Sequence, residues 1–131
     1  MTRIAPVWSL LRSSATISFC LILLAGPVKA DQTGEETFQQ QCGACHSLDK
    51  QDGPRAGPPL HDLFGRKAGS VSGFEYSDAL KQAGFAWDAA HLDKWLADSN
   101  EFLPGSYMNY RQEDADVRKG IIEYLRQSAK K

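Results

Sequence analysis

Beyond residue 30 the chain alternates between stretches whose apolar residues recur at helical spacing and stretches with no period at all. Thr33-Gly34-Glu35-Glu36 has the form of a capping box, with Thr33 accepting from a backbone N–H and Glu36 reaching back, so a first helix is predicted from about Gly34 to Ala44. Phe38 and Cys42, four residues apart, lie on one stripe of it. Ser77 opens a short second helix that stops at Gly84, a residue suited to a left-handed C-terminal position. Asp88 caps a third helix through Ser99, carrying Leu92, Trp95 and Leu96 on one face. Asp114 opens a fourth, in which Val117, Ile121, Tyr124 and Leu125 form an apolar stripe. Gly120 costs that helix about 1 kcal/mol relative to Ala unless close packing requires it. No strand-like alternation, internal repeat or low-complexity tract is present, so the fold class is all-α.

Residues 47–74 are rich in Gly, Pro, Ser and Asp and follow neither period, which predicts one long folded loop. A loop of that length inside a small domain needs something large to wrap around.

Residues 1–30 belong to a different pattern. Arg3 and Arg12 give a basic start, Ala15 to Ala25 an apolar stretch too short for a comfortable membrane span, and Val28-Lys29-Ala30 small residues where a signal peptidase reads. A signal peptide cleaved between Ala30 and Asp31 is therefore expected, leaving residues 31–131 as one domain. Cleavage removes Arg3, Arg12 and Lys29, which takes 15 basic residues to 12 while all 16 acids stay, for a net charge of −4. Nucleic acid and anionic membrane surfaces are poor partners for such a domain. Cleavage also removes Cys20, so only Cys42 and Cys45 remain and no cysteine is left for a structural disulfide.

Those two cysteines stand in Cys42-Gly43-Ala44-Cys45-His46, the arrangement that covalent attachment of a c-type haem requires. On a helix both sulfurs share a face and reach the two vinyl groups of one porphyrin, and His46 follows with its ring aimed at the iron. A thioredoxin-like Cys-x-x-Cys would follow a strand, whereas the preceding residues are helical. A structural zinc site would need a second Cys or His pair, which the sequence lacks.

An iron with His46 on one side calls for a second ligand. Met108 is the only methionine after residue 30, and it sits in the Pro/Gly turn Leu103-Pro104-Gly105-Ser106-Tyr107-Met108 between helices. A lone methionine is ordinarily core filler, but the turn and the haem motif favour a ligand. His61 in the loop and His91 in the first turn of the third helix are the rival candidates.

With these residues in place, the chain after Ala30 resembles the small single-haem cytochromes c, the soluble mitochondrial protein and its bacterial periplasmic relatives. Gly57-Pro58-Pro59-Leu60-His61-Asp62-Leu63-Phe64-Gly65-Arg66-Lys67 is similar to the family's loop after the haem motif, Gly73-Phe74-Glu75-Tyr76-Ser77 to its next landmark, and Pro104 to Met108 to its methionine loop. The resemblance implies a cytochrome c domain of about four helices wrapped around one haem c, attached through Cys42 and Cys45. It implies that the Pro58 carbonyl accepts from His46, that Arg66, Tyr76 and Trp87 hydrogen-bond the haem propionates or their waters, and that Gly34 and Phe38 meet Ile121 and Tyr124 where first and last helices cross. Leu80 and Trp95 depart from the family by standing where mitochondrial members commonly carry an Asn and a Tyr sharing a buried water.

The function implied is that of a periplasmic electron carrier, not an enzyme, with a six-coordinate iron held by His46 and Met108. Its partners would be redox proteins such as a quinol-oxidising complex, a terminal oxidase or a periplasmic dehydrogenase, and it would act as a monomer without membrane insertion. Tyr107 beside Met108, in place of the lysines that ring the haem edge in mitochondrial members, predicts docking that depends little on salt. Two other classes stay open on sequence alone: a five-coordinate haem sensor or weak peroxidase, and a tightly held electron-accepting subunit of a dehydrogenase.

Overall fold

The computed structural model describes residues 33–129, and the segment Met1 to Ala30 lies outside them. Within them the chain forms five helices: α1 (Gly34–Gln41), α2 (Asp78–Lys81), α3 (Ala89–Ala97), α4 (Ser99–Phe102) and α5 (Ala115–Ser128). Each begins on a side chain that satisfies otherwise orphaned N–H groups. Thr33 and Glu36 form the capping box of α1, and Ser77, Asp88, Asp98 and Asp114 cap the other four.

Three helix ends fall earlier than the sequence pattern predicts, and one helix is added. The first helix stops at Gln41 because the amides of Cys42 and Gly43 both turn onto the Phe38 carbonyl, at 2.8 and 2.9 Å. The second is a single turn that ends before Gly84, whose φ of 73° lies in the connection that follows. The third ends at Ala97 because Asp98 is extended, at φ −163° and ψ 107°, which frees its carboxylate to accept from the amides of Asn100 and Glu101 and start α4. Asp98 reads as an ordinary helix residue until its capping role is seen, which is why one helix was expected where there are two.

The helices meet at two junctions. α1 crosses α5, and α5 also packs on α3. The first crossing brings backbone against backbone: a Cβ on Gly34 would lie 2.1 Å from the Gly120 carbonyl oxygen. Gly34 is therefore obligatory, whereas a Cβ on Gly120 would sit at an ordinary 3.6 Å from Gly34 Cα, so packing explains the first glycine better than the second. Beside this contact the Phe38 and Tyr124 rings lie 5.5 Å apart, and Ile121 is fully buried.

Residues 42–77 contain no helix and fold as turns. One antiparallel bridge, Lys67 to Ala86, ties the loop to the segment before α3, flanked by bonds between Arg66 and Trp87 and from Ala68 to Phe85, each 2.9 Å. Gly65, Gly69 and Gly73 all adopt positive φ, the conformation that lets so long a segment reverse repeatedly. The helices and this loop do not close on one another. They enclose a cavity of about 360 Å³, within the range of ~300–1,000 Å³ expected of cofactor sites.

Candidate functional site

The cavity wall is mostly apolar, with Phe38 from α1, Leu63 from the loop, Leu80 from α2, and Leu92 and Trp95 from α3. Every one of these is buried in the core cluster. Into this lining project Cys42, Cys45, His46 and Met108, together with Pro58, Arg66, Tyr76 and Trp87. The eight residues singled out from sequence are thus brought to one cavity.

Cys42 and Cys45 sit on a tight turn and not on a regular helix. The amides of Cys45 and His46 both converge on the Cys42 carbonyl, at 3.0 and 2.9 Å, so the chain keeps the three-residue spacing of a helical turn without continuing it. Gly43 permits this, since a Cβ there would lie 2.9 Å from the Gln39 side-chain oxygen. Cys42 is buried and Cys45 is exposed. Before attachment, burial pushes the Cys42 thiol up to about 11, with the neighbouring Cys45 adding to the rise.

His46 is fixed by its other nitrogen. Nδ1 donates to the Pro58 carbonyl at 2.7 Å, which in a neutral ring leaves Nε2 as a lone-pair donor. Burial lowers the imidazole pKa, against the opposing effect of that hydrogen bond, and so favours the neutral ring. The loop is closely fitted around it: Gly57 donates to the Cys45 carbonyl at 2.9 Å, and Leu60 to the Ser47 carbonyl at 2.7 Å. A Cβ on Gly57 would meet His46 Cε1 at 2.3 Å, so only glycine fits against that ring.

Arg66 holds the same loop from the other end. Its guanidinium donates to the carbonyls of Pro59 and His61, both at 2.9 Å, and burial lowers its pKa. Tyr76 packs edge-on to Phe74 at 4.7 Å, and burial raises its hydroxyl pKa. Trp87 meets Trp95 at 5.6 Å in a cluster that extends through Phe85 to His91.

Met108 lies in the extended segment between α4 and α5, seated on the junction of α3 and α4. Ser99 donates its amide to the Tyr110 carbonyl at 3.0 Å, and Gln112 donates to the Leu96 carbonyl at 2.9 Å. Neither rival histidine lines the cavity. His61 lies beside Asp62, and His91 stacks on Phe85 with ring centroids 4.4 Å apart and bonds Asp88 at 2.8 Å.

Sequence reasoning missed two contributors, Gly57 and Ser99. The glycine left a faint signal, standing directly before Pro58-Pro59 where its own freedom was unnecessary for the turn. Ser99 left none, because its environment is made by the unexpected break at Asp98.

The donor set and lining fit a haem. An imidazole and a thioether lining an apolar cavity are donors of the kind a haem iron takes. Two thiols at the same wall supply its covalent attachment.

Comparison with known proteins agrees. The family model for cytochrome c matches residues 32–129. Cytochrome c of Gibberella zeae is 39% identical over 98 residues, covering 74% of this chain and 92% of that protein. Cytochrome c of Arabidopsis thaliana is 37% identical over 98 residues, covering 74% and 88%. Among solved structures, cytochrome cH from Methylobacterium extorquens superposes with a TM-score of 0.64 at 40% identity, covering 72% of this chain and 94% of that one. The chain belongs to the cytochrome c family. It has that family's helical fold and single covalently attached haem c, and it is an electron-transfer protein.

Proposed function

We propose that this cytochrome is a periplasmic electron carrier whose haem is attached through Cys42 and Cys45 and whose iron is held between His46 and Met108. The observation that carries the reading is the division of labour within one cavity. His46 commits Nδ1 to Pro58 and leaves Nε2 free, Met108 lines the same cavity, and His61 and His91 are engaged elsewhere.

When bound, the haem supplies an iron that exchanges single electrons between ferrous and ferric states. The chain does the rest. Pro58, as acceptor from Nδ1, orients the imidazole and makes it a stronger donor. The thioether of Met108 and the apolar lining disfavour the more highly charged oxidation state, which raises the potential. His46 and Met108 would together hold the iron and leave oxygen and peroxide no access to it. Arg66, Tyr76 and Trp87 line the cavity as the polar groups available to the propionates, so that buried negative charge meets donors.

Electrons enter and leave where the cavity opens. Gln41, Tyr107, Asn109 and Tyr110 are uncharged members of the cavity lining, with Lys81 within electrostatic reach of Tyr107. Tyr107 is 76% exposed. Such a rim suits brief docking with other redox proteins, a quinol-oxidising complex, a terminal oxidase or a periplasmic dehydrogenase, through packing more than charge. Export is supported by the signal-like Met1 to Ala30, and no helix among the described residues is long and apolar enough to cross a membrane.

The oxidised protein is expected to show the long-wavelength charge-transfer band of a thioether bound to ferric iron. Met108→Ala abolishes that band while leaving the haem covalently attached. A wild-type spectrum without the band would instead favour the five-coordinate sensor or peroxidase.

A further inference from the structure

Directly behind Met108 lies a hydroxyl with no access to water. Ser99 is 0% exposed, an unusual environment for a serine in so small a protein. Its Oγ donates to the Met108 carbonyl at 2.7 Å and accepts from the Tyr110 amide at 3.0 Å, while its own amide donates to the Tyr110 carbonyl at 3.0 Å. A hydroxyl has one proton, and the 3.2 Å contact to the Tyr110 carbonyl is the longer alternative, at an oxygen that already receives the Ser99 amide.

From this geometry we propose that Ser99 is a positioning residue for the Met108 sulfur, a statement that rests on Met108 being an iron ligand. The three bonds grip the backbone on both sides of Asn109. They fix the direction in which the Met108 side chain leaves the main chain. No covalent link does this on the Met108 side of the cavity. Asn100 adds a bond to the Asn109 side chain at 3.0 Å, but that contact is exposed and open to competition from water. The contacts of Ser106 to the same region, at 3.3 to 3.4 Å, are longer still.

The break between α3 and α4 belongs to the same device. Extended Asp98 turns the chain so that Ser99 faces the 108–110 segment, and its carboxylate then caps α4 to hold that orientation. A continuous helix through this point would keep the Ser99 amide for its own ladder, where here it serves Tyr110.

Removing the hydroxyl while keeping the bulk isolates its role. In Ser99→Ala the Met108 carbonyl and Tyr110 amide lose their buried partner, and the detached state of Met108 becomes more populated. An added ligand for the ferric iron reports that population, because its apparent affinity scales with the fraction of vacant sites. Imidazole titration of the haem-loaded protein, read by loss of the thioether-to-iron band, should show about tenfold tighter binding in Ser99→Ala than in wild type. Ile122→Val is the comparison: it trims a buried core residue that does not line the cavity and lowers global stability by a similar amount. Its imidazole affinity should stay within about twofold of wild type.

Imidazole affinity of Ser99→Ala within twofold of wild type overturns the proposal, as does an equal rise in Ile122→Val. A further check needs no variant: the wild-type Tyr110 amide should exchange at least about a hundredfold more slowly than in an unstructured peptide. Exchange at the unstructured rate also overturns it. Absence of the charge-transfer band in wild type removes the Met108 assignment and this proposal together, whereas a normal wild-type band with an unchanged Ser99→Ala removes this proposal alone.

Discussion

The two segments that carry His46 and Met108, the proposed iron ligands, are held by different means. On the His46 side the chain is bound close to the cofactor through two adjacent cysteines, the ring is fixed by a 2.7 Å bond to Pro58, and Gly57 leaves it no space to tilt. On the Met108 side an extended segment is held by hydrogen bonds: Ser99 bonds Met108 and Tyr110, the Gln112 amide donates from the segment to the Leu96 carbonyl, and Asn100 bonds Asn109, beside an exposed Tyr107. One wall is built like a core and the other like a latch. The difference teaches where this fold can open: local loss of structure begins where few buried contacts must be broken, on the Met108 side.

The largest effect expected from altering this contrast is at Gly57. Gly57→Ala puts a methyl carbon within a bond length or two of the His46 ring and should cost about 3 kcal/mol, seen as a fall in the thermal midpoint of the haem-loaded protein. Stability unchanged to within about 0.5 kcal/mol would mean that the His46 wall is as yielding as the other.

A smaller loss is expected at Arg66. In Arg66→Lys an ammonium cannot reach the carbonyls of Pro59 and His61 together, and about 2 kcal/mol should be lost, again by thermal unfolding. The Met108 charge-transfer band should persist in this variant, because the Arg66 bonds act on the opposite wall. Disappearance of the band would show that the two walls are coupled.

The smallest effect concerns the rim. Tyr107→Ser should change stability by no more than about 0.5 kcal/mol, since the ring is 76% exposed. Electron-transfer rates with a redox partner should vary little between low and high ionic strength, as the uncharged rim implies. A steep fall with added salt would place the docking surface elsewhere.

How much could be read without coordinates follows the same division. The His46 wall was nearly all legible: Cys42, Cys45 and His46 announce themselves by spacing, and the Gly/Pro loop that follows is short-range information. Helix starts were legible too, because Thr33, Ser77, Asp88 and Asp114 act on amides two or three residues away. What escaped was set by distant partners. Asp98 could as well continue a helix as cap a new one, and only the docking of residues 108–112 decides in favour of the cap. Gly34 at the helix crossing was implied by the family resemblance, and the structure adds the reason: the Gly120 carbonyl stands where its Cβ would be. Ser99, polar and mid-pattern, reads as surface because burial of a serine is a property of its partners.

An iron held by both His46 and Met108 would have no vacant position. Adding carbon monoxide to the reduced, haem-loaded protein at neutral pH tests this most directly. With Met108 as the second ligand, as proposed, the spectrum should remain that of the unliganded ferrous protein. Ready formation of a carbon monoxide complex would contradict the carrier mechanism and mean that the Met108 side is open.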